Sequence, residues 1–150
     1  MKRIGQGFSL LELMIALGVA AIIATYAIPA YRAHVAKAHR LDAAAALMRA
    51  VQFVETARLT QTAGGESIAL PMGLDRAPSN GAANYALTLL PESATNGGYS
   101  IEAAPIAFGA MQNDACGTFV IDATGLRANR TSTSAPLEAA QSSSCWAGKG

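Results

Sequence analysis

Residues Leu13 to Tyr31 carry no charge, and Glu12 is the one charged residue between Arg3 and Arg32. Nineteen apolar residues at about 1.5 Å each as a helix match the roughly 30 Å hydrocarbon thickness of a bilayer. The spacing therefore predicts a membrane-length helix, and a buried core helix is the lesser alternative. A carboxylate at the edge of such a segment is costly unless it protonates or finds a cation. Glu12 either meets a partner there or sits in the headgroup layer, with the span beginning just after it.

The order of parts separates this segment from an ordinary secretory signal, in which the apolar region precedes a small-residue cleavage site. Here a short basic leader, Met1 to Gly7, comes first and the apolar run follows Phe8. The hydrophobic fraction of 51% is concentrated in the first third of the 150 residues, and 14% are charged. That is the profile of one modest soluble domain carrying a membrane segment. A net charge of +1 gives no global case for a nucleic-acid partner. From Thr60 onward four basic residues face seven acidic ones, while the part before it is net basic. Basic residues flank the span on both sides, so charge alone leaves its orientation open.

The run Gly7-Phe8-Ser9-Leu10-Leu11-Glu12-Leu13-Met14-Ile15-Ala16-Leu17 resembles the leader junction of type IV prepilins and type II secretion pseudopilins. The resemblance implies cleavage after Gly7 by a prepilin peptidase, methylation of the new Phe8 amine, and assembly into a filament with other pilin subunits. It also gives Glu12 a partner. The amine freed at Phe8 is a cation near neutral pH, and Glu12 can pair with its own subunit's amine or with a neighbour's. The implied fold is α+β: a long N-terminal helix packed on three or four antiparallel strands. The implied location is the inner membrane, with a periplasmic head, before assembly by the inner-membrane pilus machinery, and the extracellular filament after it.

Ala16, Ala20 and Ala24 recur every four residues and form a small-residue face suited to close helix packing in lipid. Pro29 removes a helical hydrogen bond to the carbonyl of Thr25 and is expected to bend or loosen the helix. Beyond Tyr31, the spacing of Ala38, Leu41, Ala45, Met48, Val51 and Val54 predicts an apolar stripe laid on a globular head. Basic residues from Arg32 to Arg40 can meet lipid phosphates or a neighbour's acidic head, or simply be a solvated face. The expected parts are a leader at 1–7, a membrane or filament-core helix at 8–31, its amphipathic continuation at 32–59, a turn-rich connection at 60–84 and a β head at 85–150.

In the head, Tyr85, Leu87 and Leu89 alternate, as do Tyr99, Ile101 and Ala103, with Asn96-Gly97-Gly98 as a turn between them. Thr118 to Asp122 reads as a third strand and Leu126 to Arg130 as a fourth. Cys116 and Cys145 fit an oxidising compartment beyond the membrane. Joined, they would stabilise the fold by about 3–4 kcal/mol on the chain-entropy model; the alternative is two buried free thiols. The stretch from Tyr99 to Pro105, then Asp114-Ala115-Cys116-Gly117-Thr118-Phe119, Gly125 and Cys145-Trp146, resembles a minor pilin subgroup that includes relatives of a DNA-uptake receptor. In that resemblance the cysteine pair encloses a D-region at 116–145.

No catalytic constellation is present. His34 and His39 are five apart and do not share a helix face, the Gly65-to-Ala69 stretch lacks the second glycine of a nucleophile elbow, and no cofactor or metal is expected. Asp114 and Asp122 are too few for a calcium site and fit turn capping better. The leading reading is a structural subunit, a minor pilin serving assembly, adhesion, twitching motility or DNA uptake, with a pseudopilin or major pilin as alternatives. A DNA receptor is the competing class. Its phosphate contacts would fall on Arg127, Arg130 and Lys149, the candidate cations of a net-negative head. Processing gives the first test. Replacing Gly7 by Ser should leave the seven-residue leader in place, read as the intact mass of the membrane-extracted protein, whereas normal cleavage would count against the prepilin reading.

Overall fold

The computed structural model describes residues 8–60 and 68–149. The leader, including Gly7, lies outside the described residues. The elements run α1 (Leu10–Thr60), β1 (Arg76–Ala77), β2 (Tyr85–Leu90), β3 (Ser100–Pro105), β4 (Thr118–Asp122), β5 (Arg127–Arg130) and α2 (Ala139–Trp146). The chain divides into two units, one ending at Val35 and one beginning at Ala36.

Within the first unit the described residues from Leu10 are helical, and the apolar side chains from Phe8 to Tyr31 are exposed. α1 is long and apolar enough to cross a membrane, and so much uncovered apolar surface calls for lipid or neighbouring protein around it. Ser9 precedes the first helical residue, its carbonyl accepts the Leu13 N–H at 3.1 Å, and Glu12 lies in the first turn. That is the Ser-x-x-Glu spacing of a capping box, with a carboxylate at the positive end of the helix dipole. Pro29 stands inside α1, which continues beyond it.

In the second unit the five strands form one antiparallel sheet in the order β1-β2-β3-β4-β5. Three or four strands were expected, and the fifth is β1, which pairs Arg76 with Ala86 and Ala77 with Tyr85. Two residues cannot show the alternation by which a strand is recognised, so β1 was hidden in a turn-rich connection. α2 was equally hidden, because three consecutive serines are poor helix formers. Tertiary ties hold it instead.

The helix face that meets the sheet differs from the expected one. Ala43, Ala46, Leu47, Ala50 and Val54 are buried, while Leu41 and Met48 remain partly exposed. The larger Leu41 lies beside Gly148 after α2 and Met48 beside Arg127 of β5 instead. A reading that ranks positions by apolar size misses an alanine-lined contact. The opposing sheet face presents Tyr85, Leu87, Ile101, Ala103, Phe119 and Ile121. Tyr85 meets Phe119 edge-on at 5.9 Å, and Phe119 meets Trp146 edge-on at 5.5 Å.

Cys116 and Cys145 are joined by a disulfide that closes 29 residues of sequence separation. Beside it, the fully buried Asn129 donates to the Cys116 carbonyl at 2.9 Å and accepts from the Ser142 hydroxyl at 2.8 Å. β4, β5 and α2 are thus tied at one point. Gly117 sits under this tie at φ +55°, where an added Cβ would lie 2.1 Å from the Arg130 carbonyl oxygen. Gly125 has φ +83° but open space around it. Gly125→Ala should therefore cost only the left-handed backbone penalty of about 1–2 kcal/mol. Gly117→Ala should cost clearly more, compared by thermal unfolding of the two variants; equal losses would mean the close approach at Gly117 is absent.

Candidate functional site

The surface with the strongest chemical character is the seam between α1 and the C-terminal segment. The turn after α2 seats Gly148 against α1, where an added Cβ would be 3.0 Å from both Leu41 Cγ and Lys37 Cγ. Lys149 follows Gly148 directly, so the chain bears it to the stretch of α1 that carries Lys37. Further along, the Arg127 guanidinium lies over the Trp146 ring at 5.2 Å, and its Nη2 is 3.8 Å from Met48 Sδ. Stacking on an indole restricts a side chain that would otherwise be mobile and leaves its charge facing outward. A shallow cleft of about 450 Å³ opens there, lined by Arg127, Ala139, Ser143, Trp146 and Ala147. Lys37, Arg127 and Lys149 are exposed and have no acidic partner among the described residues.

The other charges of the head are largely committed. Arg40, on the expected basic surface of the helix, is instead buried and grips Asp114 with Nε at 3.0 and 3.2 Å and Nη2 at 2.5 Å. The hydrogen bond to Asp114 raises the Arg40 pKa despite burial. Tyr85, the neighbour of this pair, is raised by burial, and its hydroxyl has no hydrogen-bond partner among the described residues. Asp75 is held down to about 2 by Arg76 and by the Gly73 N–H. Tyr99 donates to Glu55 at 2.6 Å beneath Arg58, and burial raises its pKa. Arg130 pairs with Glu102. Asp122 Oδ1 accepts from the N–H groups of Thr124 and Leu126 and from the Thr124 hydroxyl, which is turn capping.

Of the three cations read from the sequence, Arg127 and Lys149 thus lie on one seam, and Arg130 is turned to an acidic partner. Lys37 was noted in the sequence only as part of a basic run on the helix. Its proximity to Lys149 depends on the C-terminal turn and has no local signal. Phe8 and Glu12 lie on the first unit, where both are exposed.

A family model described as type IV minor pilin ComP, DNA uptake sequence receptor, matches residues 29–120. The chain belongs to this minor pilin family. A second model, described as the prokaryotic N-terminal methylation motif, matches residues 3–28. A comparison with curated proteins returns no match. The minor pilin is therefore read as such in preference to a pseudopilin or a major pilin, and its family is structural rather than catalytic. The matched span ends at Val120, so Arg127, Trp146 and Lys149 lie beyond it, and their role rests on geometry.

The Arg40–Asp114 pair anchors the loop before β4 to α1, with side chains only 8% and 7% exposed. Asp114→Ala takes the bidentate carboxylate away from a buried guanidinium, so it should destabilise the fold by up to about 3–5 kcal/mol. The double change Arg40→Met with Asp114→Leu should recover most of that loss. Thermal unfolding of both variants checks it, and a double variant as unstable as the single one would contradict the account.

Proposed function

We propose that the head of this minor pilin holds DNA by its phosphate backbone along the seam formed by Lys37, Lys149 and Arg127. The observation that carries this reading is the set of three exposed cations without acidic partners on one seam, while most acidic side chains of the head are spent in internal pairs or caps. Net negative charge therefore does not decide what this face attracts. From Lys37 to Met48, which touches Arg127, eleven helical steps span about 16 Å. At about 3.4 Å of duplex axis per phosphate of one strand, a seam lying along the axis covers roughly five phosphates. The described name of the matched family, a DNA uptake sequence receptor, supports the same direction.

The membrane segment serves a second role in this reading. The chain is held in the inner membrane with its head periplasmic, is cleaved after Gly7 and methylated at Phe8 by prepilin peptidase, and enters a pilus with other pilin subunits through the assembly machinery. Glu12 pairs with the Phe8 amine of a neighbouring subunit during that step, and Pro29 provides a weak point in the helix. The head is thereby presented at the cell surface, where it meets DNA.

Three phosphate contacts imply a slope of log affinity against log salt of about −2.7, or roughly a 40-fold loss between 50 and 200 mM. The full-length protein in detergent should show this for a short DNA duplex. Arg127→Ala should reduce the slope by about one unit, while Arg130→Ala, which removes a partner of Glu102, should leave it unchanged. A flat salt dependence, or equal effects from the two arginines, would overturn the reading.

A further inference from the structure

The loop between β3 and β4 carries a feature that the DNA seam does not use. Phe108 is 96% exposed and has φ +63°. A bulky side chain in the left-handed region is a strained conformer, and one with its ring in water gains no packing in return. The loop is nonetheless held firmly. The Phe108 N–H donates to Gln112 Oε1 at 3.1 Å, and the Gly109 N–H donates to the Ile106 carbonyl at 3.0 Å. Met111 is buried in the core, and Asp114 is gripped by Arg40. The fold thus fixes an aromatic ring outward at a backbone cost, which is the pattern of a residue kept for contact with something else.

Beside this loop lies a groove of about 500 Å³, walled by the loop on one side and the turn after β5 on the other. Its size falls within the range of small-ligand sites. Its uncharged polar side chains are amides and hydroxyls, Gln112, Asn113, Thr118, Thr131 and Ser132, set beside a small apolar strip of alanine and proline. Those of Asn113 and Ser132 have no hydrogen-bond partner among the described residues and are exposed. The one charged lining residue, Asp114, is spent on Arg40, and the nearby Arg130 is turned to Glu102. The groove therefore offers no free cation for a phosphate and no free carboxylate for a cation. Phe108 stands outside the groove lining, on the same loop, and Gln112 both lines the groove and accepts from the Phe108 backbone N–H.

From these groups we propose that the groove binds a neutral saccharide chain, with Phe108 stacking on the apolar face of one sugar ring and the amide and hydroxyl side chains hydrogen-bonding its hydroxyl groups. A sugar ring has both faces of this chemistry, an axial C–H surface that packs on an aromatic ring and an equatorial set of donors and acceptors. Uncharged partners make the contact insensitive to salt, unlike the DNA seam. The proposal stands independently of the DNA reading.

The test titrates the full-length protein, held in a sugar-free detergent, with maltohexaose, cellohexaose and chitohexaose, and follows the amide resonances of Phe108, Asn113 and Ser132. At least one saccharide should shift them with millimolar affinity, unchanged between about 50 and 200 mM salt. Phe108→Ala should weaken that binding at least about tenfold, and Phe108→Tyr should retain it. Phe108→Gly relieves the left-handed strain, so it should remain folded by thermal unfolding yet bind as poorly as Phe108→Ala. The proposal fails if none of the three saccharides moves these resonances, or if Phe108→Ala leaves the affinity unchanged. It fails equally if duplex DNA, and no saccharide, shifts the same residues, for the loop would then be part of the DNA contact.

Discussion

The cross-link between Cys116 and Cys145, with Asn129 bonded beside it to Cys116 and Ser142, is the constraint on which the head's surface depends. It adds to the Leu137–Asn129 backbone bond and the Trp146–Phe119 contact that also hold the chain after β5. α2 is eight residues long and serine-rich, too short to persist by helix propensity alone. The tie fixes α2 against β5, which seats Trp146 on Phe119 and so gives Arg127 a ring to lie on. The turn after α2 then packs Gly148 on Lys37 and Leu41. A covalent bond in the core thereby helps to bring Lys149 and the ring under Arg127 to the stretch of α1 that bears Lys37.

Electrostatics here is a matter of pairing more than of totals. The segment from Thr60 onward carries more acid than base, yet Asp75, Glu102 and Asp114 each have an arginine and Asp122 is consumed in a turn. These pairs also do structural work. Arg40–Asp114 anchors the loop before β4 to α1, and Arg130–Glu102 bridges β5 and β3 across β4. Among the unpaired charges left outward are the seam cations Lys37, Arg127 and Lys149, alongside the exposed Asp42, Glu92 and Glu138, and at the β3–β4 loop lies a groove without a free charge. Two surfaces with different chemistry follow from one arrangement of internal pairs.

The parts of this fold with a local signal were legible in the sequence. The long helix, two strands marked by alternating residues, a third by its β-branched and aromatic content, a fourth by the turn before it, and the N-terminal motif, which the methylation-motif match spans, all carry such a signal. β1 has two residues and no period, and α2 has composition against it. The buried helix face differs from the expected stripe because Ala43, Ala46 and Ala50 are small yet fully covered, whereas Leu41 and Met48 are large and stay more exposed. For the site, Arg127 and Lys149 could be named as cations, but nothing local distinguished them from Arg130. That distinction comes from Glu102, 28 residues away in sequence and adjacent only through the sheet. Lys37 and Phe108 were missed as site residues for the same reason: their significance lies in exposure and neighbours that no local pattern encodes.

The measurement that bears most directly on the account is a map of amide resonances in the full-length protein as a short DNA duplex is added. The largest changes are expected along the seam, at Lys37, Leu41, Arg127 and the segment from Ser143 to Lys149, with Arg130 and Glu102 little affected. Changes concentrated instead on the opposite end of the sheet, around the β2–β3 loop at Pro91 to Tyr99, would contradict it.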